Sequence, residues 1–201
     1  MKFLLLTAFM MPGVCAAITD PATEIVFPDP AGPWVYTDSR AYEPADLGHS
    51  YSYKPLFGGT GAITCYIYSK GFSNIPTGAD SALVRREMDE TVASVVEAWS
   101  QLGAKVEQEN APTLFRRTSD GRALAYYSVH RIAHESVQNV SISIVTGYRQ
   151  HFVKLRYTFP GDDVERAKHQ LSLFLRTFLE ANRDTADPVM IPELAMEDPA
   201  R

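Results

Sequence analysis

Residues 152–182, which read FVKLRYTFPGDDVERAKHQLSLFLRTFLEAN, decide the fold of this chain. The first part, Phe152–Phe159, alternates apolar and polar side chains, which is typical of a β-strand with one buried face. A stripe of apolar residues at steps of three and four then predicts a helix over about 163–182. Asp162 and Glu165 form a capping-box pair at its start. A strand followed at once by an amphipathic helix predicts a sheet packed against helices.

The preceding residues predict more elements of the same two kinds. Extended or alternating segments predict strands over Trp34–Ala41, Leu47–Lys54, Ala62–Lys70, Thr113–Arg117, Ala123–His134 and Val140–Tyr148. An apolar stripe predicts a first helix over Ser81–Leu102, which Gly103 ends. No strand pair has the continuous apolar character of a parallel sheet. We therefore predict one α+β domain, a curved antiparallel sheet of about six to seven strands with two helices packed on one face.

The two ends differ in composition from the predicted domain, which spans residues 18–182. Residues 1–17 combine Lys2, an uncharged apolar stretch and small residues up to Ala17, which predicts a signal peptide cleaved after Ala17. The apolar stretch is shorter than the ~20 residues of a membrane span. We therefore expect a periplasmic or secreted protein, with lipid anchoring through Cys15 as the alternative. Residues 183–201 place three prolines among acidic residues and predict a flexible acidic tail.

Charge and cysteine content exclude several classes of function. The 201 residues include 24 acidic and 19 basic ones, a net charge of −5, and removing Lys2 with the leader makes it −6. Nucleic acid is therefore not expected as the main partner, because phosphate backbones are bound by basic surfaces. Two cysteines form neither a disulfide framework nor a four-cysteine zinc site. Cys65 alternates with Ile63 and Ile67, so we expect it to be buried and unreactive.

Several stretches of the sequence resemble a known family. They are YEP (42–44), LGHSYSY (47–53), ITCYIY (63–68), IPTG (75–78) and HFVKLRYTFP (151–160). With the element order, they resemble a family of uncharacterised exported bacterial proteins that have a Mog1/PsbP-like domain of the DcrB type. The resemblance covers about residues 40–182. It implies the α+β fold, export and a binding or accessory role, and it supplies no catalytic residues.

The first candidate site is a set of tyrosines on two adjacent predicted strands. It consists of Tyr51, Tyr53, Tyr66 and Tyr68. If the two strands pair as a hairpin and the rings share the face without helices, they form a rigid amphipathic patch for recognition. The alternative is that cross-strand aromatic pairs only stabilise the sheet. Lys154 and Arg156, which share one face of their strand, indicate either a solvated edge or a contact for an acidic partner or headgroups.

The second candidate site is a group of histidines. His130 and His134 lie four residues apart and precede Glu135. On a helix this spacing suits a metal ion, but the surrounding residues predict a strand, on which the two rings lie ~13 Å apart. A metal site would then need His151 or a carboxylate from another strand. The alternative is two histidines on a sheet face.

No nucleophile, phosphate-binding or metal signature is complete in the sequence. There is no G-x-S-x-G motif, and the glycine-rich residues 58–61 join two strands rather than opening a helix. We therefore expect an exported binding or accessory protein without catalysis and without a cofactor, whose partner is a protein or an envelope component. The alternative function is a metal-binding protein or hydrolytic enzyme that uses His130, His134, Glu135 and His151.

Overall fold

The computed structural model describes residues 16–57, 61–116 and 121–183. These residues form nine strands and two α-helices. The strands are β1 (Ala16–Thr19), β2 (Val26–Asp29), β3 (Trp34–Ala41), β4 (His49–Pro55), β5 (Ala62–Tyr68), β6 (Lys105–Arg116), β7 (Ala123–His134), β8 (Val137–Tyr148) and β9 (His151–Pro160). The helices are α1 (Ala82–Gln101) and α2 (Val164–Ala181). The predicted leader up to residue 15, with Cys15, and the predicted tail from residue 184 lie outside the described residues.

Seven strands form one antiparallel sheet in the order β3-β4-β5-β9-β8-β7-β6. Strand β9 pairs with both β5 and β8, so it joins the N-terminal and C-terminal halves of the chain. Strands β1 and β2, which the sequence indicated only as an extended lead-in, form a separate antiparallel pair. The predicted α+β class and antiparallel sheet are thus confirmed.

The two helices lie on opposite faces of the sheet, so the prediction that both pack on one face is wrong. Neighbouring residues of β8 point to different helices: Ile144 packs in the cluster that contains α2, and Val145 in the cluster that contains α1. On β9, Val153 packs in the cluster that contains α2 and Phe152 in the cluster that contains α1. Successive side chains of a strand point to opposite faces. The strands therefore have two buried faces, an α1 face and an α2 face.

The larger core lies on the α2 face. The sheet contributes aliphatic residues and Trp34, and α2 contributes a fully buried stripe. That stripe consists of Val164, Ala167, Leu171, Phe174, Leu175 and Phe178. The helix begins after Asp163, whose carboxylate accepts the backbone N–H of Arg166 at 2.9 Å, one residue later than the predicted cap. The β1–β2 pair completes this face, because Phe27 packs against both the sheet and Phe178.

The core on the α1 face is smaller and lies under the first half of the helix. Val84 and Met88 of α1 pack there with Val145 and Phe152 of the sheet. The segment before α1 crosses the end of β8, where Gly147 pairs with Gly78. Farther along the sheet the α1 face is polar, and that region forms the site described next.

Candidate functional site

The four tyrosines of the predicted patch do not share a face. The register of β4 and β5 places Tyr51 and Tyr53 on the α2 face, with 3% and 0% of their surfaces exposed. Tyr66 and Tyr68 point to the α1 face. The predicted patch is therefore wrong. Tyr51 lies opposite Cys65 rather than opposite a tyrosine, and this register sends the two pairs of rings to opposite faces.

Tyr51 and Tyr53 instead hold the β1–β2 pair against the sheet. The Tyr51 hydroxyl donates to the buried carboxylate of Asp20 at 2.8 Å. The Tyr53 hydroxyl donates to the carbonyl oxygen of Pro28 at 3.1 Å. The Tyr51 ring also stacks on Phe27, with centroids 3.9 Å apart. Burial raises the pKa of both phenols, so they stay protonated as donors.

The histidines of the alternative metal site occupy three separate positions. His130 is buried in the middle of β7. His134 ends that strand, opposite Val137. His151 begins β9, with its Nδ1 2.8 Å from the carbonyl oxygen of Arg149. His134 and His151 therefore lie at opposite ends of β8, roughly 36 Å apart at 3.3 Å per residue.

The predicted site that combines these three histidines is wrong, since one ion cannot contact residues at both ends of the sheet. Glu135 lies in the tight turn between β7 and β8, with φ of 53°. In the part of the chain that the structure describes, no three His, Cys, Asp or Glu side chains are grouped as metal ligands.

Cys65 is buried, as predicted, with 2% of its surface exposed. It points to the α2 face together with Ile63 and Ile67. Burial raises the pKa of its thiol, which opposes formation of the reactive thiolate.

A cluster of polar side chains lies on the α1 face of the central strands, although the face of a sheet that a helix covers is normally apolar. We call it the polar floor; it consists of Ser128, His130, Ser141, Ser143 and Arg156. His130 lies opposite Ser141 in the pairing of β7 and β8. Ser143 lies between Ser128 on one neighbouring strand and Arg156 on the other. Cβ atoms of directly opposed residues are about 4.5–5.5 Å apart, so the five side chains form one continuous surface.

Helix α1 covers most of the polar floor. It packs against β6, β7 and β8, and its sheet-facing stripe continues beyond Met88 to Thr91 and Val95. The three serines and His130 are all 0% exposed beneath this cover. Arg156, on β9, is only half-buried. The floor is therefore closed over β7 and β8 and accessible from the β9 side.

The buried side-chain atoms of the polar floor have no hydrogen-bond partners among the described residues. They are the hydroxyl oxygens of Ser128, Ser141 and Ser143, both ring nitrogens of His130 and Nε of Arg156. Oγ1 of Thr91, on the covering helix, is also buried without a hydrogen-bond partner among the described residues. A buried polar group left without a partner costs about 1–3 kcal/mol, and native proteins contain few of them. Water or a bound polar group normally completes such a cluster.

The open side of the polar floor carries two cations of β9, Arg156 of the floor itself and the neighbouring Lys154. Neither Lys154 nor Arg156 forms an ion pair with any residue in the described ranges. The Lys154 ammonium lies 5.0 Å from the ring centroid of Tyr66 and 5.1 Å from that of Tyr68. Burial lowers the pKa of Lys154, Glu87 opposes this change, and Arg156 adds to it. The border therefore carries positive charge that the sheet does not neutralise.

The nearby carboxylate of Glu87 is already engaged. It accepts the hydroxyl of Tyr68 at 2.6 Å and the ammonium of Lys70 at 2.5 Å. Lys70 also pairs with Glu90 at 2.8 Å. Glu87 therefore acts on Lys154 only from beyond ion-pair distance, and neither Lys154 nor Arg156 has an ion-pair partner among the described residues.

His130 is electrostatically unsuited to acting as a general base. Burial lowers its pKa, and the positive charge of Arg156 lowers it further. At neutral pH the ring is therefore neutral, with one nitrogen as a donor and the other as an acceptor. A catalytic histidine in a serine triad has a carboxylate partner that stabilises the imidazolium. Here the neighbouring charge is positive, so the ring is better suited to hydrogen bonding than to proton abstraction.

An open cleft of about 320 Å³ lies on the other face, between the start of α2 and β6 and β7. Four of its charged side chains form two ion pairs with one another. Arg131 contacts Glu109 at 2.6 Å, and Lys168 contacts Glu165 at 2.7 Å. This cleft therefore presents fewer unused polar groups than the polar floor.

The polar floor was not predicted from the sequence, although part of its signal is present there. Ser128 and His130 alternate with apolar residues on one strand, as do Ser141 and Ser143 on the next and Lys154 and Arg156 on the third. Three consecutive strands with polar residues in the same alternation indicate a polar face. The sequence did not reveal that a helix covers that face, because it does not specify which side of the sheet each helix takes.

Comparison with protein-family models and with curated protein sequences found no match. Among solved structures, the chain is similar to the solution structure of cyanobacterial PsbP (CyanoP) from Synechocystis sp. PCC 6803. The TM-score is 0.52, and the match covers 85% of this chain and 92% of that one. The fold is PsbP-like. At 16% sequence identity the likeness concerns the fold alone. No helix in the described ranges is long and apolar enough to cross a membrane.

Proposed function

We propose that this chain is an exported, non-catalytic binding or accessory protein and that the polar floor is its binding site. The observation that carries the proposal is the set of buried hydroxyls and the buried imidazole of His130 that have no partner among the described residues. Beside them lie Lys154 and Arg156, two cations that form no ion pair with a described residue. Buried polar groups without hydrogen-bond partners lower the stability of a fold. Their presence is explained if they bind a ligand.

The absence of catalysis in this proposal is supported by the neighbours of His130. Among the described residues no carboxylate orients its ring, and the charge beside it is the cation of Arg156. A serine such as Ser141, which lies opposite His130, would need a base that gains stability when it is protonated. The floor opposes that protonation and offers donors and acceptors instead.

Export is supported by the composition of residues 1–17 and by the way the adjoining residues pack. Cleavage after Ala17 would remove two of the four residues of β1, Ala16 and Ala17, together with their pairing to Asp29 and Pro28. It would retain Ile18, which packs against the main core, and Asp20, which accepts the hydroxyl of Tyr51. The proposed mature chain therefore keeps the side-chain contacts of Ile18 and Asp20 with the rest of the fold.

Export is tested by expressing the full chain in a Gram-negative bacterium and sequencing the N-terminus of the protein from the periplasmic fraction. We expect a mature chain that begins at Ile18. A full-length chain in the cytoplasm would contradict the proposal, and a lipid-modified Cys15 would replace the soluble form by the anchored alternative.

Binding at the polar floor is tested by native mass spectrometry of protein purified gently from its own envelope fraction. We expect the wild type to carry a non-covalently bound species that is lost in the double variant Lys154→Gln/Arg156→Gln. Arg131→Gln is the matched control, because Arg131 is a partly exposed cation on the α2 face. A bound species that is absent from all three proteins, or equally present in all three, would overturn the proposal.

A further inference from the structure

We infer that the polar floor binds a phosphate-type oxyanion, held by Arg156 and Lys154 from the open side and by the floor hydroxyls from the buried side. This inference rests on the proposed function and specifies the ligand of the same site. It follows from the arrangement of donors, from the local charge and from the way α1 covers the floor.

The donors converge on one strip of the sheet. Arg156 lies opposite Ser143 on β8 and opposite Thr64 on β5, so its guanidinium has a hydroxyl on each side. Lys154 is two residues farther along the same face of β9, about 6.6 Å away along the strand. Tetrahedral oxyanions are bound by groups of this kind, a planar guanidinium fork and a lysine charge with neutral donors around them.

The charge of the site favours a dianion. Lys154 and Arg156 form no ion pair with described residues, whereas the neighbouring Glu87 is bound by Tyr68 and by Lys70. Two cations without ion-pair partners among the described residues match the charge of about −1.5 to −2 that a phosphate group carries at pH 7. A single carboxylate would neutralise only one of them.

The buried half of the floor supplies neutral partners for the remaining oxygens. Ser128, Ser141 and Ser143 can each donate one hydroxyl hydrogen, and neutral His130 can donate from one ring nitrogen. All four side chains are completely buried and none has a partner among the described residues. Inside a protein such donors bind an anion more strongly than they would in water, because the local dielectric is low.

Entry of the anion requires the middle of α1 to move outward, since the hydroxyls lie under this helix. Over the floor the helix presents Thr91, whose hydroxyl has no partner among the described residues, and its buried apolar contacts flank that position, at Val84 and Met88 before it and at Val95 after it. An oxyanion would supply the partners that these polar atoms lack. Binding and a shift of α1 around Thr91 are therefore coupled.

The test is a titration of the mature chain with sodium phosphate at pH 7.5, followed by amide NMR, with ionic strength held constant by sodium chloride. We expect saturable shifts at the floor residues of β7, β8 and β9. Arg156→Gln should weaken binding at least ~tenfold, because a hydrogen bond to a charged group is lost. Lys154→Gln should weaken it as well, and Arg131→Gln should leave it unchanged. Spectra of the free variants establish that each is folded.

Other ligands identify the source of the phosphate. Glycerol 3-phosphate in solution and vesicles containing phosphatidic acid offer the same group on a small solute and on a lipid headgroup. Binding of either one, weakened by Arg156→Gln, supports the inference and assigns the source. Acetate that binds as tightly as phosphate would overturn the inference, as would unsaturable shifts in the wild type or equal affinities in wild type and Arg156→Gln.

The outcome is distinguishable from failure of the proposed function. If native mass spectrometry finds a bound species that depends on Lys154 and Arg156 but phosphate does not bind, the inference of an oxyanion ligand is wrong. The proposal of a binding site at the polar floor is still supported in that case. If that species is also absent, both proposals fail.

Discussion

At the scale of a single residue, the environment of His130 makes the stability of the protein depend on pH. It is completely buried and has no hydrogen-bond partner in the described chain, and both burial and Arg156 lower its pKa. In the unfolded chain a histidine titrates near ~6.5. Below that pH the unfolded state therefore binds a proton that the folded state does not, and stability must decrease as the pH falls.

We predict that His130→Gln reduces the pH dependence of stability. In the wild type the contribution of His130 is complete above pH ~6.5 and is lost as the pH falls towards the lowered pKa of the folded state. The loss is about 1.4 kcal/mol for each pH unit over which only the unfolded chain is protonated. Urea unfolding between pH 7.5 and 5.0 measures it. His134→Gln, at the end of the same strand, is the control, and an unchanged slope in His130→Gln would contradict the prediction.

Individual residues were predictable where their neighbours in sequence determine their environment. Cys65 alternates with isoleucines, so its burial followed from the pattern. The tyrosines were not predictable, because their faces depend on which residue of β5 lies opposite Tyr51, and a shift of one residue reverses the result. The polar floor depends on three strand registers and on the position of a helix, none of which a local pattern specifies.

At the scale of elements, the two helices differ in how they are attached. Every residue of the α2 stripe is buried and apolar, with two phenylalanines, Phe174 and Phe178, in contact with each other. The buried stripe of α1 includes Glu87 and Thr91. Burying a large apolar side chain contributes about 1.5–3 kcal/mol, whereas a buried hydroxyl without a partner costs free energy. The middle of α1 is therefore the weaker attachment.

We predict that Thr91→Val stabilises the protein by about 1 kcal/mol, because it replaces an unpartnered hydroxyl by a methyl group of similar size. The matched control is Thr146→Val. Thr146 is also buried, but its hydroxyl donates to the carbonyl oxygen of Leu124 at 2.7 Å. We expect that control to lose about 1 kcal/mol. Urea unfolding measures both, and equal losses in the two variants would show that Thr91 has a partner.

We predict that Gly147→Ala destabilises the protein by about 3 kcal/mol, because a methyl group there overpacks a close contact between two chain segments. A Cβ atom at Gly147 would lie 1.9 Å from the carbonyl oxygen of Pro76, so the segment before α1 must move. Gly103→Ala is the comparison, since nothing lies within 4 Å of its added Cβ and only the backbone conformation, φ of 77°, is strained. We expect thermal unfolding to give Gly147→Ala a lower midpoint temperature than Gly103→Ala, and the reverse order would contradict the prediction.

Most elements were predictable from local patterns, and their positions in space were not. The range of β7 was predicted to the residue, and the second helix, predicted over about 163–182, is α2 at Val164–Ala181. Strand β6 begins at Lys105, eight residues before its predicted start, because both of its faces are partly exposed and the alternation is weak. Leu102, the last residue of the predicted first helix, lies just after the end of α1 and is 62% exposed.

At the scale of the whole molecule, the sheet carries two interiors of different character. The α2 face is apolar and is closed by α2 and the β1–β2 pair, so it accounts for most of the stability. The α1 face is apolar at one end and polar in the middle, with cations of β9 at its border. This division separates the larger apolar core from the polar region in which we propose that a ligand binds.

The class of the fold followed from the order and spacing of the elements, because short connections favour antiparallel neighbours. The side on which each helix packs did not follow, since both sides of the sheet contain alternating residues that a helix could cover. Lys154 and Arg156 illustrate the difference. Their shared face was predicted, yet whether it was a solvated surface or a covered site depended on the position of α1.

The proposal that the polar floor binds a ligand is tested most directly by a high-resolution crystal structure of the mature protein purified gently from its own envelope fraction. We predict electron density for a bound group on the polar floor, within hydrogen-bond distance of Arg156 and of at least one of Ser141 and Ser143. Density for ordered water alone at these side chains, or hydroxyls that pair with one another and leave no bound group, would contradict the account.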